Sequence, residues 1–306
     1  MGHNIADVVA LVLNYNSKEL TEKCVDNLLR ISDDLRIVIV DNCSTDGSSD
    51  EFALKYRKNT RVYIQKTDIN GGYAKGNNIG LKYISEKFDE ARYILLLNPD
   101  IIVKNQETII ALKQTLLENE EFSIASCQII QNNEWRSFTD YIWKFPDNKE
   151  LIFAGTLIGK ALCRKKQNTY EAIKLKNNIV EVDSVSGCFF MVSIDDLEKV
   201  GGFDERTFLY FEEAILAKRM RGIGKKIAVL IDQFVYHNHQ NKDNELLDTR
   251  KKQFHRECFF NSKMVYINNY SNMKKKDIYL SRIVGKMDLK IKRWICKVST
   301  MDGINK

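Results

Sequence analysis

The 306-residue sequence has only two prolines, Pro99 and Pro146, and no stretch that approaches the roughly 18 uninterrupted apolar residues a membrane span needs. Its amino terminus lacks the basic-then-apolar layout of a signal peptide, so the expectation is a chain that stays in the cytoplasm. The seven cysteines are scattered without a CxxC pair, which points to free thiols in a reducing compartment rather than a disulfide framework or a zinc site. Residues 14–19 contain no glycine. A nicotinamide-dependent oxidoreductase would carry G-x-G-x-x-G there, between its first strand and first helix, so that class is excluded. Charge of one sign is also scarce over most of the chain: the net +6 arises chiefly after about residue 270. With no nucleic-acid-binding module beside that tail, nucleic acid is not an expected partner. There is no internal repeat and no low-complexity linker. The opening Met-Gly-His, including His3, is given no role.

What is present is ordinary globular composition, 44% apolar and 29% charged, on a chain long enough to bury a core. VVALVL at 8–13 is a short continuous apolar run, followed by polar 14–17 and then Leu20, Cys24, Val25, Leu28 and Leu29 at helical spacing. Ser17 is placed to cap that helix. The unit repeats as RIVIVD (36–41) with a helix near 48–58, RVYIQ (61–65) with a helix near 73–87, and RYILLLN (92–98) with a helix near 105–118. Strands apolar on both faces that alternate with helices predict an α/β fold, with a mainly parallel central sheet flanked by helices. Ligands of such sheets sit at the carboxyl ends of the strands. The loops at 14–17, 41–48, 68–77 and 98–100 are therefore expected to converge on one site.

Periodicity weakens between about 130 and 180, which reads as an excursion or flap. It resumes in VDSVSGCFFMVS (182–193), in FLYFEEAILAKRMRG (208–222) as a strand end entering a helix, and in IAVLI (227–231). From about 243 the chain is helical and leads into the basic tail.

VDNCSTDGSSD (40–50) places Asp41 at the end of an apolar strand, ahead of residues that commonly form turns. DINGGYAKGNNIG (68–80) supplies glycines and asparagines that let backbone approach a ligand. LLLNPD (95–100) sets Asp100 after three leucines, where a carboxylate suits a hard divalent cation bridging phosphates. Glu212 and Glu213 open a helix, a position the helix dipole favours for carboxylates in any case.

With these segments in view, the chain resembles the family-two inverting glycosyltransferases of the GT-A nucleotide-diphospho-sugar transferase fold, and in particular their rhamnosyltransferase-like branch. The resemblance rests on VLNYNS (12–17), IVIVDNCSTDGS (37–48), NGGYAKGNNIG (70–80), LLLNPD (95–100), VSGCFFMV (185–192), GGFDERTFLYFEE (201–213) and VYHNH (235–239), which occur in family order. It implies an inverting single displacement with a Mg or Mn cation. It also implies a UDP- or dTDP-linked sugar as donor and a hydroxyl of a glycan or lipid-linked saccharide as acceptor, in cell-surface polysaccharide synthesis.

Carried over by residue, Asn14 and Asn16 lie in the first loop bordering the nucleotide, and Asp41, beside Asn42, is expected to accept the N3–H of a uracil or thymine ring. Asn70, Gly71, Gly72 and Asn77 are expected to border ribose and pyrophosphate. Asn98 and Asp100 occupy the metal motif usually written D-x-D, here with one carboxylate replaced, and His237, with His239 as the alternative, matches a further metal ligand. Gly187 and Cys188 border donor sugar and acceptor. The family usually carries Glu-Asp where this chain has Glu212-Glu213, so Glu213 is the expected base and Glu212 the runner-up. Asn98, Glu213 and Ile215 depart from the family pattern, and they keep open a second reading as a catalytically weak nucleotide-sugar-binding scaffold in a glycan-assembly complex.

The expected organisation is a catalytic domain over 1–240, with a nucleotide-binding half (1–130) and an acceptor half (131–240), followed by a helical basic extension (241–306). Lys and Arg alternate with Ile, Leu, Met and Trp294 over 271–298. That composition fits either a helix lying on the cytoplasmic membrane face or a solvated basic helix packed on its own domain. A homodimer also stays open.

Overall fold

A computed structural model of the chain describes residues 4–131, 134–135, 141–163, 173–174, 178–238 and 249–302. Its elements in order are β1 (Val8–Asn14), α1 (Lys18–Ile31), β2 (Arg36–Asp41), α2 (Ser48–Lys55), β3 (Val62–Lys66), α3 (Gly72–Lys87), β4 (Tyr93–Leu97), β5 (Ile101–Val103), α4 (Gln106–Glu118) and β6 (Phe122–Gln131). There follow β7 (Glu134–Trp135), β8 (Ile142–Trp143), α5 (Asn148–Phe153), α6 (Leu157–Cys163), β9 (Ile173–Lys174), β10 (Ile179–Val182), β11 (Ser184–Val185), β12 (Phe189–Ser193) and α7 (Ile194–Lys199). Last come α8 (Glu212–Gly222), β13 (Lys226–His237), α9 (Thr249–Tyr270) and α10 (Lys275–Asp302).

The chain forms two compact units, one of residues 1–144, 170–205 and 212–239 and the other of 145–169, 206–211 and 240–306. The first is built on a sheet of order β3-β2-β1-β4-β12-β6-β13-β10-β9. β1 to β4 run parallel, as their apolar runs predict, and every residue of β1 except Leu13 is buried. β12 enters antiparallel between β4 and β6, while β13 runs parallel to β6. The sheet is therefore mixed, with the parallel block β3-β2-β1-β4 on one side and antiparallel pairing on both sides of β12.

α1 covers the sheet with Cys24, Val25 and Leu28. Ser17 occupies its N-cap position, but the hydroxyl donates to Tyr15 O (3.1 Å) and makes no capping bond. Elsewhere caps are made: Asn105 accepts from Thr108 N at α4, and Ser193 from Asp196 N at α7. α3 packs closely because Gly80 has no side chain, since a Cβ there would lie 2.3 Å from Leu11 Cδ1.

In the second unit, α5 begins with a reciprocal capping box between Asp147 and Glu150. α10 turns an unusual face inward. Ser281, Gly285, Asp288 and Lys292 are buried, while Leu280, Ile283, Met287, Ile291 and Trp294 (66% exposed) form a stripe in solvent. The segment 208–211, expected as a strand end, is instead irregular, with Tyr210 (φ 77°) and Phe211 (φ 67°) in the left-handed region. Consecutive aromatic residues rarely adopt it, and the aromatic neighbours within this unit hold them: Tyr210 and Phe211 meet Phe259 with ring centres 5.6 and 5.4 Å away, and Phe211 also meets Tyr266 at 5.4 Å.

Candidate active site

The predicted residues gather along the carboxyl ends of the central strands of the first unit. The parallel register pairs Asn14, the last residue of β1, with Asp41, the last of β2. Both are fully buried, so their polar atoms need partners. Asn14 Nδ2 donates to Asp41 Oδ1 (2.7 Å) and to Ser44 Oγ (3.0 Å), while Thr21 Oγ1 donates to Asn14 Oδ1 (2.8 Å). Ser44 N donates to Asp41 Oδ2 at 3.3 Å. Asn16, itself at φ 49°, closes the same loop by accepting from Thr45 N (2.8 Å).

Asn42 ties this corner to the glycine-rich loop. Its amide nitrogen donates to Asn70 Oδ1 (3.0 Å) and Gly72 O (3.1 Å), and its oxygen accepts from Gly71 N (3.2 Å). Asn77 is buried on α3, but its amide returns to Tyr73 O (2.9 Å), a bond within its own helix.

Tyr73, which the sequence reading did not single out, carries the network onward. Its hydroxyl donates to Gly187 O (2.8 Å), and Gly187 N donates to Glu213 Oε1 (3.0 Å). Burial, with the nearby Glu213 and Glu212, pushes the Tyr73 hydroxyl well above its usual range, so it remains a protonated donor. The signal for Tyr73 was its place inside NGGYAKG, but nothing in the sequence shows that α3 would bring it to residue 187, since 114 positions separate them.

Glu213 stands in the first turn of α8 beside Glu212, which is 2% exposed. Desolvation raises the Glu213 pKa above the ordinary carboxylate value, against the lowering effect of its own and Gly187's backbone N–H groups. The neighbouring Cys188 is buried, and desolvation pushes its thiol up to about 12, so it is not a thiolate nucleophile at neutral pH. The antiparallel pairing of β12 with β4 brings Cys188 to residue 98, where Asn98 N donates to Cys188 O (2.9 Å).

Two residues on, Asp100 Oδ2 lies 3.1 Å from His237 Nε2. The pairing of β13 with β5 sets this contact, because His237 registers with Ile101, and it is reinforced where Asn238 N donates to Asp100 O (2.9 Å). Two ligand atoms at right angles on an octahedral ion with bonds of roughly 2.1 Å are about 3.0 Å apart, so a carboxylate oxygen and an imidazole nitrogen at this spacing suit a Mg- or Mn-type cation. Among the described residues no group of three or more His, Cys, Asp and Glu side chains could hold a metal alone. His239 lies outside the described residues.

The sequence profile of glycosyl transferase family 2 matches residues 10–201. The rhamnosyltransferase WbbL of Escherichia coli (strain K12) is 27% identical over 227 residues, covering 72% of this chain and 79% of that protein. GalNAc-T7, solved with UDP, GalNAc and Mn2+, superposes with a TM-score of 0.57 at 14% identity over 76% of this chain, which spans only 44% of that structure's chain. The mannosyltransferase PcManGT of Pyrobaculum calidifontis, solved with GDP-Man and Mn2+, superposes at 0.56 with 13% identity, covering 96% of this chain and 75% of that one. Those likenesses establish the GT-A fold, and the profile match over more than half of the sequence establishes that the chain belongs to glycosyl transferase family 2.

Proposed function

We propose that this glycosyltransferase is a metal-dependent, inverting enzyme that moves a rhamnosyl or hexosyl residue from a dTDP- or UDP-linked donor to a hydroxyl of a glycan or lipid-linked saccharide. The observation that carries the proposal is the series of hydrogen bonds, joined through adjacent residues 41–42 and 72–73, that runs from Asp41 and Asn14 through the loop bonded to Asn42 to Tyr73, Gly187 and Glu213. Such a series fixes a donor-binding corner and a carboxylate relative to each other, which is what a displacement needs when geometry sets the rate.

In this reading Asp41 accepts the N3–H of the pyrimidine, and the backbone of residues 70–72 borders the diphosphate. Glu213 Oε2 takes the proton of the acceptor hydroxyl as its oxygen forms the new bond to the sugar's anomeric carbon. The bond from that carbon to the diphosphate breaks on the opposite face, and the nucleoside diphosphate leaves with the electron pair. Asp100 and His237 would hold the divalent cation, which when bound would supply positive charge to offset the negative charge of the diphosphate. Cys188 and Asn98 shape the floor through their backbone bond.

The outward stripe of α10 supports a peripheral place on an anionic membrane surface. Exposed Lys276, Arg282, Lys286, Lys290 and Arg293 accompany it, as an interfacial helix requires. Among the described residues no helix is long and apolar enough to cross a membrane.

The test is thermal stabilisation by UDP, dTDP, GDP and ADP with and without Mn, followed by hydrolysis or transfer from the matching nucleotide sugars. Stabilisation by UDP or dTDP that depends on Mn is expected. Preference for GDP or ADP, or donor turnover indifferent to EDTA, sinks the reading.

A further inference from the structure

The second unit contains a half-open cavity of about 230 Å³ between the α5–α6 turn, residue 210, α9 and α10. Its wall carries the side chains of Arg256, Lys263 and Lys292, with His255 at its side, and Asp288 is the one carboxylate among the lining residues. Lys292 is 8% exposed and pairs with Asp288 (2.6 Å) while donating to Gly155 O (2.6 Å). Asp288 in turn accepts from Leu157 N (2.7 Å). Lys263 is 1% exposed and donates to Ala154 O (3.2 Å). Arg256 Nη1 rests 3.4 Å from Cys296 Sγ.

One carboxylate thus stands against two buried ammonium groups and a guanidinium. A buried cation without an anion near it is costly, and an uncharged structural role would be served better by apolar side chains of similar size. Burial pushes Lys263 down to about 8, with Asp288 pulling it back up and Lys292 opposing that pull, so desolvation is what makes its charge costly. The remaining wall is aromatic, with Tyr210, Phe259 and Phe260. The Tyr210 hydroxyl shares a hydrogen bond with His255 Nδ1 (2.9 Å), so that ring is held in place. The volume is too small for a whole nucleotide sugar by the measure of ordinary ligand pockets, yet several times the share of one water.

We propose that this cavity binds a phosphate or diphosphate ester, with Arg256 and Lys263 on its anionic oxygens and the rings of Tyr210 and Phe259 against the organic group it esterifies. Arg and Lys provide the charge-assisted donors such oxygens take, and the aromatic wall distinguishes an ester from bare phosphate. That the ester belongs to a glycosyl acceptor rests on the function proposed above, whereas binding itself does not. Tyr210 precedes Glu213 by three residues in the chain, so occupancy of the cavity would bear on a segment that leads into the proposed base.

Calorimetric titration of the full chain tests this, with Mn2+ and UDP both saturating so that the donor corner is filled. The probes are farnesyl diphosphate and inorganic pyrophosphate. One site for farnesyl diphosphate is expected, weakened at least about tenfold in Lys263→Met and in Arg256→Gln, with UDP affinity unchanged. Arg256 is only half-buried, so Arg256→Gln carries the test should Lys263→Met fail to fold. Pyrophosphate binding more weakly than farnesyl diphosphate assigns a lipid phosphate ester; equal affinity overturns the role given to the aromatic wall. Absence of binding to the wild type, or binding indifferent to both substitutions, overturns the site. Failure of UDP to bind would instead overturn the function proposed above and leave this result standing.

Discussion

Replacing Gly187 by alanine is a sharp probe of the proposed active site, because the perturbation is one methyl group with a known destination. A Cβ on residue 187 would lie 2.4 Å from Glu213 Oε1 and 3.1 Å from its Cγ and Cδ, where ordinary contact begins at 3.4 Å. The carboxylate must therefore retreat by about 1 Å, a displacement that can cost about 100-fold when it separates a base from its proton. Gly187 is not among the glycines with positive φ, so the backbone tolerates alanine and the effect is steric. Pushing the Glu213 side chain off its rotamer costs about 1 kcal/mol, and stretching the Gly187 N–H to Oε1 bond adds about 1.5–3 kcal/mol if it breaks. On a chain of this size such losses lower Tm by several degrees, roughly 2–4 °C per kcal/mol. The expected result is a folded protein with turnover down about 100-fold and donor affinity within a factor of about three of wild type. Steady-state kinetics beside nucleotide titration measures both. Wild-type turnover in a folded Gly187→Ala variant would refute the claim that this contact positions the base.

Four further outcomes are expected. Glu213→Gln should lower turnover by at least about 100-fold with donor affinity retained, and Glu212→Gln should cost less; the reverse order exchanges their roles. Because the folded-state pKa of Glu213 is raised, its contribution to stability is present below the unfolded value near 4.5 and is lost as pH rises through the folded one. Glu213→Gln should therefore gain in Tm relative to wild type between pH 4 and neutrality, and a difference that shrinks with rising pH contradicts that sign. Asp100→Ala and His237→Ala should each reduce Mn2+ binding in the presence of UDP, read from the free-ion paramagnetic resonance signal; an unchanged signal in both removes them as ligands. Asp41→Ala should weaken UDP at least about tenfold and blunt the preference over GDP, and calorimetry showing equal loss for both nucleotides would deny Asp41 a part in base selection.

Much of the nucleotide-side architecture was legible because its cues are local. A buried strand, a polar loop and an amphipathic helix each announce themselves within about a dozen residues, and repeating them four times forces parallel pairing. Asp41 was placed at its strand end on those grounds alone, and the pairing with Asn14 follows from register. The contact of Asp100 with His237 was less accessible, since it depends on β13 continuing past Ile231 to reach β5, while the sequence reading ended that strand at residue 231. Tyr73 escaped notice because its partner is a backbone carbonyl, which has no signature in sequence. The irregular course of 208–211 was missed for a related reason. FLYF reads as a strand by composition, and only the aromatic cluster with α9 explains why it turns instead. Ser17 shows the opposite limit, where the expected residue stands in the expected position and bonds elsewhere.

The second unit is assembled from three separate stretches of chain, and this bears on how the protein can be shortened or recombined. Phe208 meets Phe254, Tyr210 and Phe211 meet Phe259, and Leu209 O accepts from Ser262 Oγ (2.9 Å). A stop codon near residue 240, which the sequence suggests as a clean boundary, would remove every one of those partners. It would leave three large aromatic side chains unpacked immediately upstream of Glu212 and Glu213. The tail is thus not a detachable module in the genetic sense. Chimeras that exchange this unit between related enzymes would have to carry 145–169, 206–211 and 240–306 together, as one inherited set.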